Sequence, residues 1–323
     1  MGNMRKKPAY LTLYEQGGLE ERVTRSRKLL HHCQVCPHEC GVDRPRGELG
    51  ICQTGYLAQV SSYGPHFGEE SPLVGEHGSG TIFFAGCNLL CVFCQNYEIS
   101  HIDGGGDDAT DCVDDRDLAA IMLELQAQGC ENINLVTPSH LVPQILAALP
   151  HAIDNGLHIP LVYNSSGYDA LATLRLLDGV VDIYMPDCKF WTEESSRQLT
   201  RARNYPQVMR CALKEMHAQV GELEVNERGV AVKGLLVRHL LMPGHGEETR
   251  KILEFIAREI SPHTFVNIMD QYRPCGRARE FDGINHHPTA NEYAQAREYA
   301  RQLGLTRLYE HDLAALLRHL GIK

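Results

Sequence analysis

Three cysteines, Cys87, Cys91 and Cys94, fall within the run Gly86-Cys87-Asn88-Leu89-Leu90-Cys91-Val92-Phe93-Cys94-Gln95-Asn96. Their spacing is C-x3-C-x2-C, and the apolar stretch Thr81-Ile82-Phe83-Phe84-Ala85 leads directly into them. A [4Fe–4S] cube ordinarily takes four thiolates. Three thiolates from one tight loop would hold three irons and leave the fourth open. An open iron can bind a small molecule and act on it, much as catalytic zinc keeps one coordination position free. The same residues also admit a zinc site, although zinc more often draws on two separated pairs, or three unrelated core cysteines.

A second group precedes the first. Cys33, Cys36, Cys40 and Cys52 give C-x2-C-x3-C-x11-C, with His31, His32 and His38 beside them. Four ligands within twenty residues fit a closed metal site, either zinc or iron–sulfur. Such a site would stabilise a segment poor in apolar residues, pass electrons, or bind a substrate. Cys112, Cys130, Cys188, Cys211 and Cys275 are scattered and are expected to serve packing.

The elements that must position these groups follow from the apolar pattern. Strands are expected at 81–85, 132–137, 159–164, 181–185, 235–241 and 265–269. Helices are expected at 114–128, 169–177, 192–200, 206–220, 247–260 and 289–303. The helix at 114–128 carries Leu118, Ile121, Met122 and Leu125 on one face and stops at Gly129. Alternating strands and helices imply an α/β fold of parallel βαβ units. Residues 1–80 form a separate front extension: a helix at 19–30, the cysteine-rich segment, a strand at 58–63, and a loop at 64–80. The rest of the chain, 81–323, forms the main domain. The run 104–108, Gly-Gly-Gly-Asp-Asp, reads as a surface loop.

Composition narrows the function classes. The 323 residues are 43% hydrophobic and 22% charged, with net charge −10. That acidity opposes non-specific nucleic-acid binding, which depends on lysine and arginine neutralising phosphates. No apolar run approaches the roughly 18 to 20 residues a membrane-spanning helix needs. The basic start, Met1-Gly2-Asn3-Met4-Arg5-Lys6-Lys7, runs into Pro8-Ala9-Tyr10 instead of a signal core. A cytoplasmic protein is expected, in which clustered cysteines read as metal ligands.

Parallel strands present their chemistry at their C-terminal ends. The first strand leads into the cysteine loop, and the second ends Val136-Thr137-Pro138-Ser139-His140. The third ends Tyr163-Asn164-Ser165, the fourth Met185-Pro186-Asp187-Cys188-Lys189, and the sixth Met269-Asp270-Gln271. The fifth carries Arg238-His239 within an apolar strand. A buried arginine there needs an anionic partner.

With the aromatic Phe93 directly before its third cysteine, the cluster loop resembles the radical S-adenosylmethionine (SAM) superfamily. The resemblance implies a partial (β/α)6 barrel and a [4Fe–4S] cluster on Cys87, Cys91 and Cys94 whose open iron chelates SAM. Over residues 81–273 the chain is similar to glycyl-radical-enzyme activases, the pyruvate formate-lyase-activating enzyme family in particular. Asp187-Cys188-Lys189 matches that family's Asp-x-Lys motif. The resemblance sets Lys189 beside SAM and gives Asp187 a part in a monovalent-cation site. Arg238, ahead of Pro243-Gly244, matches an arginine that contacts SAM, and Asn96 also agrees. Thr137-Pro138-Ser139-His140 replaces the family's Gly-Gly-Glu, Asn164 stands where an acidic residue is usual, and Asp270-Gln271-Tyr272 replaces a Pro-Tyr-His-like motif. The whole chain looks most like the activating-enzyme-like group that bears an extra N-terminal cysteine motif. The second cysteine group does not match the paired ferredoxin motif inserted in several activases.

The resemblance implies an oxidoreductase that reductively cleaves SAM to a 5′-deoxyadenosyl radical for hydrogen abstraction. Flavodoxin or ferredoxin would supply the electron, and a glycyl radical enzyme would be the partner. The alternatives are radical modification of a small molecule or peptide, for which a rim at His286-His287 would suit, and a non-catalytic iron–sulfur scaffold or redox sensor.

Overall fold

The computed structural model describes residues 7–103 and 111–310. The loop expected at 104–108 lies outside them. The strands are β1 (Ala58–His66), β2 (Ser79–Phe84), β3 (Cys112–Val113), β4 (Ile133–Val136), β5 (Leu161–Ser165), β6 (Ile183–Pro186), β7 (Glu224–Val225), β8 (Ala231–Leu240) and β9 (Phe265–Met269). They form one nine-stranded sheet in the order β3-β1-β2-β4-β5-β6-β8-β7, with β9 pairing with β8. Neighbours from β2 through β4, β5, β6 and β8 to β9 are all parallel. The fold is mixed α/β with a mostly parallel sheet, as the alternation predicts. Among the described residues no helix is long and apolar enough to cross a membrane.

The pleat divides each parallel strand between two cores. Tyr163, Tyr184, Leu235 and Val237 belong to the large cluster beneath the helices. Their alternates Val162, Ile183, Met185 and Leu236 belong to a second cluster on the opposite face. Nothing in a period of two says what covers that opposite face. It is covered by the connection from β1 to β2, whose Leu73 is fully buried against Val162, Ile183 and Met185. One leucine buried this way contributes roughly 1.5–3 kcal/mol, enough to anchor the connection.

That connection corrects the loop expected at 64–80. Instead, β1 continues to His66 and pairs antiparallel with β2, Gly64 opposite Thr81 and His66 opposite Ser79. A short helix, Ser71–Val74, follows. Glycine, proline and histidine were compatible with extended structure because β1 pairs on this side only with β2. Residues before position 80 also share the main core, through Tyr10, Leu19, Leu30, Cys33 and Val35.

Helix Asp115–Ala127 starts on a capping box between Asp114 and Asp117 and ends just ahead of Gly129. The helix expected at 169–177 shrinks to Leu171–Leu174. Helices Ala9–Glu15 and Val142–Asp154 were not anticipated. All twelve cysteines are free; Cys130 and Cys188 are buried. Cys211 is exposed, which corrects its expected packing role. The helix Tyr205–Val220 buries Met209, Ala212, Leu213 and Met216, and position 211 falls off that face.

Candidate functional site

The cysteine loop leaves β2 through Gly86, whose φ of +76° favours glycine. A Cβ at this position would lie 2.4 Å from the Cys52 carbonyl oxygen, so only glycine lets the two cysteine segments pack backbone to backbone. Beyond it, the Leu89 N–H donates to Cys87 Sγ at 3.3 Å. Burial pushes the Cys87 thiol up to about 11, against backbone N–H donors of Leu90 and Leu89 and the charge of Lys189. Burial raises Cys91 as well, and Lys189 again opposes the rise. Cys91 lies within charge range of both Cys87 and Cys94. The loop thus gathers its three thiols beside one ammonium group. As free thiols Cys87 and Cys91 are protonated and unreactive at neutral pH, and metal coordination would hold them as thiolates.

Lys189 arrives from the end of β6. It pairs with Asp187 at 2.5 Å, and both side chains are largely buried. Burial disfavours its charge, but Asp187, Cys91 and Cys94 outweigh that and keep the ammonium protonated. Tyr205 fixes the turn: its hydroxyl donates to a carbonyl, Ser166 or Asp187, each 2.9 Å away, and accepts the Lys189 N–H. Gly167, at φ +76°, lets the β5 loop approach, since a Cβ there would lie 2.5 Å from the Asp187 carbonyl oxygen. Gly167→Ala is therefore expected to displace Asp187 and Lys189 together.

Next along the sheet, Asp187 bridges to Arg238, and Arg238 pairs in register with Asn267. The three therefore form one row at the C-terminal strand ends. Asn164 stands opposite Met185, one step lower on the same face. The anion that Arg238 requires comes from the chain itself. Its Nε donates to Glu70 Oε1 at 2.8 Å and its Nη2 to Glu70 Oε2 at 2.5 Å. Nη2 also donates to Glu69. Asn267 Nδ2 reaches the same Glu70 Oε1 at 2.6 Å. Burial would raise the Glu69 carboxyl, but Arg238 and His66 outweigh it and hold the group at about 2.

The structure therefore brings together Cys87, Cys91, Cys94, Lys189, Asp187 and Arg238. Phe93 lies buried behind them against Phe190 and Tyr272. Asn96 is exposed, and its carbonyl accepts the Ser100 N–H. His286 and His287 are exposed. The sequence reading missed Glu69, Glu70 and Asn267, and also Asn134 on β4. The Asn134 amide is wholly buried, and neither its nitrogen nor its oxygen has a hydrogen-bond partner. A charge inside an apolar strand was the one signal that pointed this way, and it pointed to Arg238 without naming its partners.

The second group assembles around Arg44, which is 1% exposed. Cys36 lies within charge range of Cys33, Cys40 and Cys52. Arg44 Nη2 donates to Cys52 Sγ at 3.4 Å, and Nη1 donates to the His140 carbonyl at 2.9 Å. Among the described residues, no three His, Cys, Asp or Glu side chains are arranged to hold a metal ion.

Acid stability tests the burial of these strands. His239 sits beside Arg238, between the Cys188 carbonyl and the Thr249 hydroxyl, and burial lowers its pKa from 6.5 to about 4. The folded state then binds fewer protons than the unfolded one. Its stabilising contribution is present above pH 6.5 and is lost as pH falls toward 4. Between pH 7 and 5 the loss is about 2 kcal/mol. In urea unfolding at those two pH values, His239→Gln should lose about 2 kcal/mol less than wild type. An equal loss would show that His239 is not held neutral.

The chain is 33% identical over 297 residues to the uncharacterized protein MJ0674 of Methanocaldococcus jannaschii, covering 90% of this chain and 81% of that protein. No family model matches the chain.

Proposed function

The chain belongs to the family of the Methanocaldococcus jannaschii protein MJ0674, and we propose that it is a radical SAM enzyme. The observation that carries the reading is the cysteine loop at the end of β2 with the Lys189–Asp187 pair packed against it. The donor set fits an iron–sulfur cluster: three thiols within charge range, N–H donors aimed at sulfur, and a fixed cation. A mononuclear site must converge its ligands on one point, about 2.3 Å from each sulfur. A cube takes one thiolate per iron, so its ligands stand apart.

When bound, such a cluster would supply the electron that splits SAM into methionine and a 5′-deoxyadenosyl radical. The chain's own residues would bind and orient the substrate. We propose that β2, β4, β5, β6, β8 and β9, each pairing with the next in chain order, make a partial (β/α)6 barrel around it. Lys189 balances the negative charge of the thiolates. Asp187 holds that ammonium in place and shares a row with Arg238. Glu69 and Glu70 lock the guanidinium by Nε and Nη2, leaving Nη1 to take a carboxylate such as that of SAM. The unpartnered Asn134 amide offers a further donor and acceptor to a molecule inside.

The rival reading is a non-catalytic scaffold, favoured by the fact that Glu69 and Glu70 already neutralise Arg238. Two measurements decide between them. Anaerobically reconstituted, dithionite-reduced protein is expected to convert SAM to 5′-deoxyadenosine, and SAM titration should show Arg238→Ala binding at least about tenfold more weakly. Loaded, reducible protein that neither binds nor cleaves SAM is a scaffold.

A further inference from the structure

The second cysteine group has two sides with different surroundings. Cys33, Cys36 and Cys52 are buried, whereas Cys40 is partly exposed, flanked by exposed Glu39 and by Ile51, an exposed hydrophobic residue. The opposite side lies directly on the first cysteine loop. The Cys52 carbonyl packs on the Gly86 backbone, next to Cys87. His38, between Cys36 and Cys40, meets the carbonyl of Asn88, between Cys87 and Cys91, at 2.6 Å. Asn88 is itself fixed by its Nδ2 donating to the Tyr168 carbonyl. A purely structural metal site needs no such contact with the first loop; an electron path does.

The chemistry inside the group suits an iron–sulfur cluster. Four thiols from two arms of the segment lie within charge range of one another and around a buried guanidinium. Arg44 Nη2 and Nη1 have acceptors, but its Nε is buried with none. A zinc tetrathiolate would offer this donor its thiolate sulfurs alone. A cluster adds sulfides that accept N–H donors, and hydrogen bonds to sulfur tune its potential. A fixed cation also favours the reduced form, which carries one more negative charge.

We propose that Cys33, Cys36, Cys40 and Cys52 hold a second, fully ligated iron–sulfur cluster that relays single electrons to the group held by Cys87, Cys91 and Cys94. The electron enters from a reduced protein donor of the ferredoxin or flavodoxin class at the Cys40 edge. It reduces the second cluster by one charge and leaves again for the first, so the donor is oxidised and no bond forms or breaks. The relay rests on the iron–sulfur reading of the first loop; the metal content of the second group does not.

The test uses the full chain, reconstituted anaerobically with iron and sulfide, as wild type, Cys94→Ala, Cys36→Ala and Cys40→Ser. Wild type should carry about eight irons and Cys94→Ala about four, without zinc, as two four-iron clusters require. In Cys36→Ala, reduction of the first cluster by dithionite should match wild type, while reduction by ferredoxin should slow at least about tenfold. Absorbance and electron paramagnetic resonance read both rates. If Cys36→Ala fails to fold, Cys40→Ser, altered at the half-exposed ligand, carries the same comparison. Zinc in place of iron in Cys94→Ala, or an empty second group, overturns the proposal. So does an unchanged rate with ferredoxin. If Cys94→Ala keeps its iron but dithionite-reduced wild type cleaves no SAM, the enzyme reading fails and the second cluster stands.

Discussion

Cys94→Ala should form no 5′-deoxyadenosine above the protein-free background, a fall of at least about a hundredfold, while folding as wild type does. The expected loss exceeds the 10- to 100-fold typical of residues that merely support a metal ligand, because a ligand itself is removed. With two thiols left, the loop cannot hold three irons. The fold should survive because Cys94 is only partly buried and its described hydrogen bond, from its N–H to the Cys91 carbonyl, belongs to the backbone. Thermal unfolding of the metal-free protein should therefore differ by less than about 1 kcal/mol. Cys211→Ala, at an exposed position, serves as the control and should leave product formation unchanged. Product formed equally by both variants would remove the cysteine loop from the chemistry.

Local patterns made the cysteine groups and the parallel strands legible. Metal-ligand spacing is a property of one loop, and β9 was expected at the bounds observed because its apolar run is short and sharply delimited. The helix Val142–Asp154 was hidden for the opposite reason. It buries Val142, Ile145, Leu146, Ala148, Leu149 and Ala152, so apolar residues recur on too many sides to show a period. Pro143 lies in its first turn, where the missing N–H costs nothing, but Pro150 lies within it and reads as a breaker. The Glu69–Glu70 pair was illegible on any local ground. Glutamates in a glycine-rich connection look solvated, and their partner Arg238 lies 168 residues from Glu70. Sequence can show that a buried charge needs a partner; only the fold brings the partner to it.

That distant pairing makes Glu70→Ala the most destabilising substitution expected here. Glu70 is 1% exposed and accepts from Arg238 Nε, Arg238 Nη2 and Asn267 Nδ2. Alanine would strip these donors of their acceptor in a site that water does not reach freely. Removing one partner of a buried ion pair costs about 3–5 kcal/mol, because the remaining charge is left uncompensated. In a chain of this size the melting temperature should fall by roughly 4–7 °C. Glu69 retains a share of the Arg238 charge, which keeps the cost from rising further. Glu70→Gln should lose less than half as much, since its amide oxygen can still accept from Asn267. The triple variant Glu69→Gln/Glu70→Leu/Arg238→Met should be more stable than Glu70→Ala, because it removes the stranded cation together with both of its carboxylate partners. It should also lose SAM binding, separating the stabilising part of Arg238 from its proposed part in binding SAM. A Glu70→Ala protein that melts within about 2 °C of wild type would mean that Arg238 does not depend on this carboxylate. The row from Lys189 through Asp187 to Arg238 would then need another anchor.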